Sequence, residues 1–338
     1  MDNETVAGQG RQVKKQPQAA DASAKSAEEH GLSMEMNGFK NRLEDARVNA
    51  RKRIALFILF TMAAGALYSK TLLELYNRSL ESELYSHIPL IPLMSAYFFY
   101  LKRLEISSNA SYCFKIGLPL IFSAYAACLA LGFAWKPDVN VHLAATVFSA
   151  ILFWAGGFMA FYGKKASRAS VFPLLFLLFI VPVPEQMLDP LIVFLQERSA
   201  DVAWFLFNLS GSPVQRDGMF FHLPGITIEV AKECSGIRSS LALFIAGVIA
   251  AKMFLSTWHG RLSFIAILLP IAILKNGIRI TALTLAGYHF DERVFYGSLH
   301  TRGGIIFFML ALIISGVVLW VFTGLEGISA KRKAARAG

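Results

Sequence analysis

The sequence predicts an all-α polytopic membrane protein of about eight transmembrane helices, with an extracytoplasmic amphipathic helix and a small β-hairpin. Three observations carry that prediction. The 338 residues are 55% hydrophobic, with a mean hydropathy of +0.50, too apolar for a soluble domain. Apolar stretches of membrane-crossing length recur along most of the chain. The basic residues behind the formal charge of +10 gather at the ends of those stretches, as the positive-inside rule requires. No aromatic-interleaved basic patch accompanies them, so nucleic acid is not an expected partner, whereas membrane lipids are.

Residues 1–46 are polar, rich in Ala, Gln, Lys and Glu, and lack the apolar core of a signal peptide. They read as a disordered cytoplasmic tail. A transmembrane domain is expected over 47–330, followed by a basic cytoplasmic tail over 331–338. Its eight apolar spans lie near 54–73, 84–101, 115–134, 141–162, 169–184, 236–257, 262–287 and 303–325. Basic clusters alternate between connectors. Arg47, Arg51, Lys52 and Arg53 precede the first span, Lys102 and Arg103 follow the second, and Lys164, Lys165 and Arg168 follow the fourth. Lys252 and Arg261 flank the turn between the sixth and seventh spans, and Lys331, Arg332, Lys333 and Arg336 end the chain. That alternation puts both termini in the cytoplasm and places residues 185–233 outside a cytoplasmic (inner) membrane.

The outer segment opens with "QMLDPLIVFLQERSADVAWFLFN", whose apolar residues recur at helical spacing, as in a helix lying on the membrane surface. "DGMFFHLPGITIEVAKEC" then reads as two short strands around Pro224-Gly225, where proline pre-sets one turn dihedral and glycine supplies the positive φ. The second strand leads into Cys234 at the mouth of the sixth span. A helix N-terminus is a place where a thiolate is stabilised.

Ionisable groups inside a bilayer are costly, at least about 2.5–3.5 kcal/mol for arginine at a helix centre, and so are functional candidates. The seventh span holds "LKNGIRITAL", with Lys275 and Asn276 one turn before Arg279 on the same helix face. From Arg261 at the inner surface to Arg279 is 18 residues, roughly 27 Å of helix. Cys234 to Lys252 is also 18 residues, so thiol and guanidinium are expected at similar depth near the outer face. His300, just before the eighth span, is expected there too. A thiol, an imidazole and a guanidinium suit cysteine acyl transfer: nucleophile, proton carrier and oxyanion or carboxylate holder. His87, at the outer end of the second span, is a further candidate. Arg238, one turn into the Cys234 helix, lines the same cleft or pairs with Glu233. Cys113 and Cys128 read as packing residues. With no CxxC and no even framework, neither a metal site nor a disulfide scaffold is indicated, and no cofactor is expected.

These residues resemble the exosortase/archaeosortase family of membrane transpeptidase-like proteases. The motifs appear in order: "FIVPVPEQMLDPL" at 179–191, Gly-x-Pro-Val at 211–214, "CSGIRS" at 234–239, "NGIRI" at 276–280 and "HTRGG" at 300–304. The resemblance covers about residues 80 to 325, and histidine at position 300 favours the bacterial, exosortase-like branch. It implies that Cys234, Arg279 and His300 are catalytic. Ser235, Gly236, Arg238, Asn276, Gly304 and His87 are assigned to substrate binding around them. It also implies the partners: secreted or surface proteins with a C-terminal signal made of a short motif such as Pro-Glu-Pro, a membrane helix and a basic cluster. Cleavage would pass through a thioester on Cys234 at the extracytoplasmic face. The charged "KE" before Cys234 departs from the family pattern and leaves the recognised motif open.

Two other classes compete. A transporter or channel would use Arg279 and Lys275 as an anion site, but no internal repeat relates 50–184 to 185–325. A lipid-linked transferase would need metal-holding carboxylates, and the outer acids show no DxD-type spacing.

Overall fold

The computed structural model describes residues 40, 44, 47–133, 139–289 and 304–337; for Glu233, Cys234, 131–133, 139 and 330–337 it describes the backbone alone. Among these residues the chain is helical apart from one small sheet. Five helices are long and apolar enough to cross a membrane, or up to seven when two broken pairs each count as one span. The third apolar span forms a shorter apolar helix, Phe114–Ala130. All eight apolar segments are thus helical, as expected. Helical backbone satisfies its own hydrogen bonds, which lipid cannot do for it.

Contacts divide the chain into two units. The first comprises Met1–Tyr68, Leu101–Ala124 and Leu152–Val171. It is knit by aromatic rings: Phe57 of α1 (Arg47–Leu67) meets Trp154, Phe158 and Tyr162 at centroid distances of 5.5, 5.7 and 5.2 Å. Trp154 Nε1 donates to Thr61 Oγ1 at 3.1 Å, giving the indole its polar partner. Gly117 lies so close to Ala160 that a Cβ would sit 2.6 Å from its Cα, a backbone approach that only glycine permits.

The second unit comprises Ser69–Tyr100, Tyr125–Ile151 and Phe172–Gly338. Five of its helices concern us. Helix α2 (Val171–Phe176), extended by a 3₁₀ turn (Leu177–Ile180), is broken at a 90° bend from α3 (Glu185–Leu209). The bend is dictated by "VPVPE", since each proline removes a donor and pushes its predecessor out of the helical region. The fifth apolar span is therefore ten residues of helix ending at Ile180, too short to cross a bilayer alone. Helices α4 (Ile237–Phe254), α5 (Trp258–His289) and α6 (Gly304–Ala337) follow. They close on one another around Leu243, Leu255, Phe264, Leu268, Ile271 and Ala311. Outward, α6 exposes Ile305, Ile306, Ile313, Val317 and Trp320, a surface suited to lipid.

Helix α3 buries one face, and its exposed side also carries apolar residues, among them Trp204, Phe205 and Leu209. Leu195, Gln196, Ser199, Ala200, Ala203 and Phe207 are buried at three- and four-residue spacing, while Arg198 and Asp201 pair at 2.8 Å on the exposed side. Its buried face packs on α5. Gly277 allows this, because a Cβ there would meet Val202 Cγ1 at 2.4 Å. The hairpin also forms: β2 (Phe220–Leu223) pairs antiparallel with β3 (Ile226–Glu229) across Pro224-Gly225, with Gly225 at φ 84°. A third strand, β1 (Gln215–Asp217), extends the sheet and was not expected. Its sequence, Gln-Arg-Asp, has no apolar alternation. It is held by pairing with β2 and by Arg216 Nη1 donating to Asp201 at 2.8 Å. Phe221, Leu223 and Val230 seat the sheet on Ala200, Ala203 and Phe207 of α3 and Ile280 of α5.

Candidate active site

The backbone that delivers Cys234 is fixed before it arrives. Past β3, Val230 N–H donates to Met219 O at 2.9 Å. Its carbonyl accepts from the buried Gln196 Nε2 of α3 at 2.7 Å. Lys232 reaches Asp189 of α3 at 3.2 Å on the surface. The chain then makes a 3₁₀ turn, Lys232–Ser235, rather than entering the helix directly. The expectation of Cys234 at the helix N-terminus is refined accordingly: Gly236, at φ 70° and ψ 13°, stands between the turn and α4. A left-handed residue at this point re-aims the chain, and glycine adopts it without Cβ strain.

Gly236 faces Asn276 of α5, and a Cβ there would lie 2.8 Å from Asn276 Oδ1. The Gly236 carbonyl is the anchor of the junction. It accepts from Ser240 N–H (2.8 Å), Ser240 Oγ (2.8 Å) and Ser239 Oγ (3.0 Å). Ser235, 1% exposed, accepts from Ile237 N–H at 3.3 Å. Lys275 Nζ donates to Ser239 Oγ. Two consecutive residues of α5, Lys275 (2% exposed) and Asn276 (1%), therefore hold the Cys234 turn and the first turn of α4. Arg279 follows one helical turn later and is partly buried.

The remaining candidates are placed as follows. Arg238 is exposed and forms an ion pair with Glu83 in the 3₁₀ turn Glu83–Tyr85, a partner that sequence spacing did not suggest. His87 turns Nδ1 to Leu84 O (3.1 Å) and Nε2 to Phe179 O (3.3 Å). With carbonyls at both nitrogens, it tethers the start of the second span to the "FIVPVPE" stretch. Gly304 is the first residue of α6, with open space where a Cβ would stand. His300 lies outside the described residues. The structure thus joins Ser235, Gly236 and Asn276 around the Cys234 turn, with Arg279 on the same helix as Asn276. Sequence reading missed Gln196 and Ser239 as supports. A lone amide on the apolar face of "LIVFLQERSA" was the available signal for Gln196.

A family model described as transmembrane exosortase matches residues 77–317. The chain belongs to that family. Membership carries a membrane-embedded role in processing sorting signals. The match spans the Cys234 turn, α5 and the start of α6, the segments that the sequence motifs marked. No curated protein and no solved structure matches the chain.

Proposed function

We propose that this exosortase-family protein is a cysteine peptidase or transpeptidase of the cytoplasmic membrane, acting at its outer face on C-terminal sorting signals of secreted proteins. The observation that carries the proposal is the junction at Gly236, where the Cys234 turn meets Asn276 one helical turn from Arg279. In this reading the Cys234 thiolate attacks the carbonyl carbon of the scissile peptide. The carbonyl electrons move to oxygen, where Arg279 offsets the developing charge. As the oxyanion collapses, the C–N bond breaks and His300, carrying a proton, donates it to the departing nitrogen. A thioester remains on Cys234 until water or an amine displaces the sulfur. Ser235, Gly236, Asn276, Gly304, Arg238 and His87 would surround the recognised segment. The partner would carry a short motif, a membrane helix and a basic cluster, so that the helix lies in the bilayer while the motif meets the outer-face thiol.

The test is processing of a tail-bearing secreted protein in cells expressing wild type or Cys234→Ser. A processed product with wild type and accumulated precursor with a folded, inserted C234S protein is the expected result. Equal processing by both would remove Cys234 as nucleophile and leave the buried Lys275 and the partly buried Arg279 as a candidate anion site.

A further inference from the structure

Lys275 is a lysine with 2% exposure in the middle of a membrane-length helix. A buried ammonium needs a hydrogen-bonding partner and a compensating charge. Its bond to Ser239 Oγ meets the first need. The ion pairs found among the described residues do not include it. The bond leads toward the site: Ser239 donates onward to the Gly236 carbonyl, two residues from Cys234, while Asn276 abuts Gly236 from the same helix.

We propose that Lys275 is a positioning residue for Cys234: through Ser239 it clamps the turn carrying the thiol, and it supplies the buried positive charge that favours the thiolate. This inference rests on Cys234 being the nucleophile. The charged and titratable groups near the turn come from each neighbouring element. Asp189 and Glu185 lie on α3, and Lys232 and Glu233 on the turn itself. Arg238, paired with Glu83, lies on α4, and Lys275 and Arg279 on α5. Asp189 is paired with Lys232, and Arg238 is exposed, so Lys275 is the buried cation bonded into the junction.

The test is the pH dependence of alkylation by iodoacetamide of the purified full-length protein, with Cys113 and Cys128 replaced so that Cys234 alone reports. K275M should raise the midpoint by about one pH unit and slow alkylation near neutral pH about tenfold, since one unit is a tenfold change in thiolate. K275R, which keeps the charge, should restore most of the rate. S239A, which keeps the lysine and removes the bridge, should shift the profile the same way by a smaller amount, and it serves if K275M fails to fold. A wild-type midpoint in folded K275M, or in S239A when K275M does not fold, overturns the proposal. So does K275R behaving like K275M, because the clamp would then not depend on charge. Processing by C234S is read separately. Its persistence sinks the peptidase reading whatever the alkylation shows, whereas an unshifted midpoint with C234S inactive sinks only the role of Lys275.

Discussion

Gly236 turns the bare side of its Cα toward Asn276, leaving 2.8 Å between Oδ1 and the place a Cβ would occupy. The same residue sits at φ 70°. Conformation and contact both demand glycine, and they do so two residues from the candidate nucleophile. G236A should therefore cost about 1–2 kcal/mol from the left-handed backbone alone and push the turn off α5. A lowered unfolding temperature together with loss of processing is expected; a variant with wild-type processing would mean that the turn need not touch Asn276.

Arginine at position 279 should resist conservative replacement. If its planar guanidinium offsets an oxyanion, R279K keeps the charge but loses the fork of donors. Processing should fall roughly 10²–10³-fold, the range seen when one oxyanion donor is removed, with stability nearly unchanged. A lysine variant at near-normal rate would reduce the role of Arg279 to that of a plain cation.

Gln196 makes a prediction far from any motif. Its amide holds the Val230 carbonyl in a buried setting. Q196L leaves that acceptor unsatisfied, at about 1–3 kcal/mol. Hydrogen exchange at residues 230–236 should accelerate, and the thermal midpoint should drop. Unchanged exchange there would show that the sheet alone secures the segment.

The ion pair of Arg238 with Glu83 offers a contrasting case. Both side chains are more than half exposed, and exposed pairs contribute under about 1 kcal/mol. R238A should unfold at nearly the wild-type temperature. Slower processing in that folded variant would then report contact with the substrate, and unaltered processing would assign Arg238 to the surface.

The start of α5 is held by a residue of α6. Glu326 of α6 accepts from Ser256 N–H (2.8 Å), Thr257 N–H (3.1 Å) and Thr257 Oγ (2.5 Å), capping the N-terminus of α5 from another helix. E326A should lose a capping interaction of about 1 kcal/mol, read as a lower unfolding temperature with the Cys234 alkylation profile intact. A shifted profile would show that the N-terminal end of α5 is coupled to the site.

The sequence by itself determined the membrane class, the helical character of all eight apolar segments, the helix after the proline-rich break and the Pro224-Gly225 hairpin. Each follows from local physics: apolar length, periodicity, and the φ preferences of proline and glycine. The motifs also marked Cys234, Gly236, Asn276 and Arg279, because a charge or a glycine stands out against an apolar background. Pairing across the fold was not legible. Strand β1 has no apolar alternation and exists through β2 and Asp201. Gln196 looked like any polar residue until Val230 was opposite it. Arg238 found Glu83, more than 150 positions away, instead of a neighbour in sequence. The left-handed break at Gly236 could be read as a glycine but not as a joint resting on Asn276. Such contacts depend on which surfaces of distant helices meet. That is decided by close packing between side chains, at Gly277 against Val202 above all, and tertiary structure alone sets it.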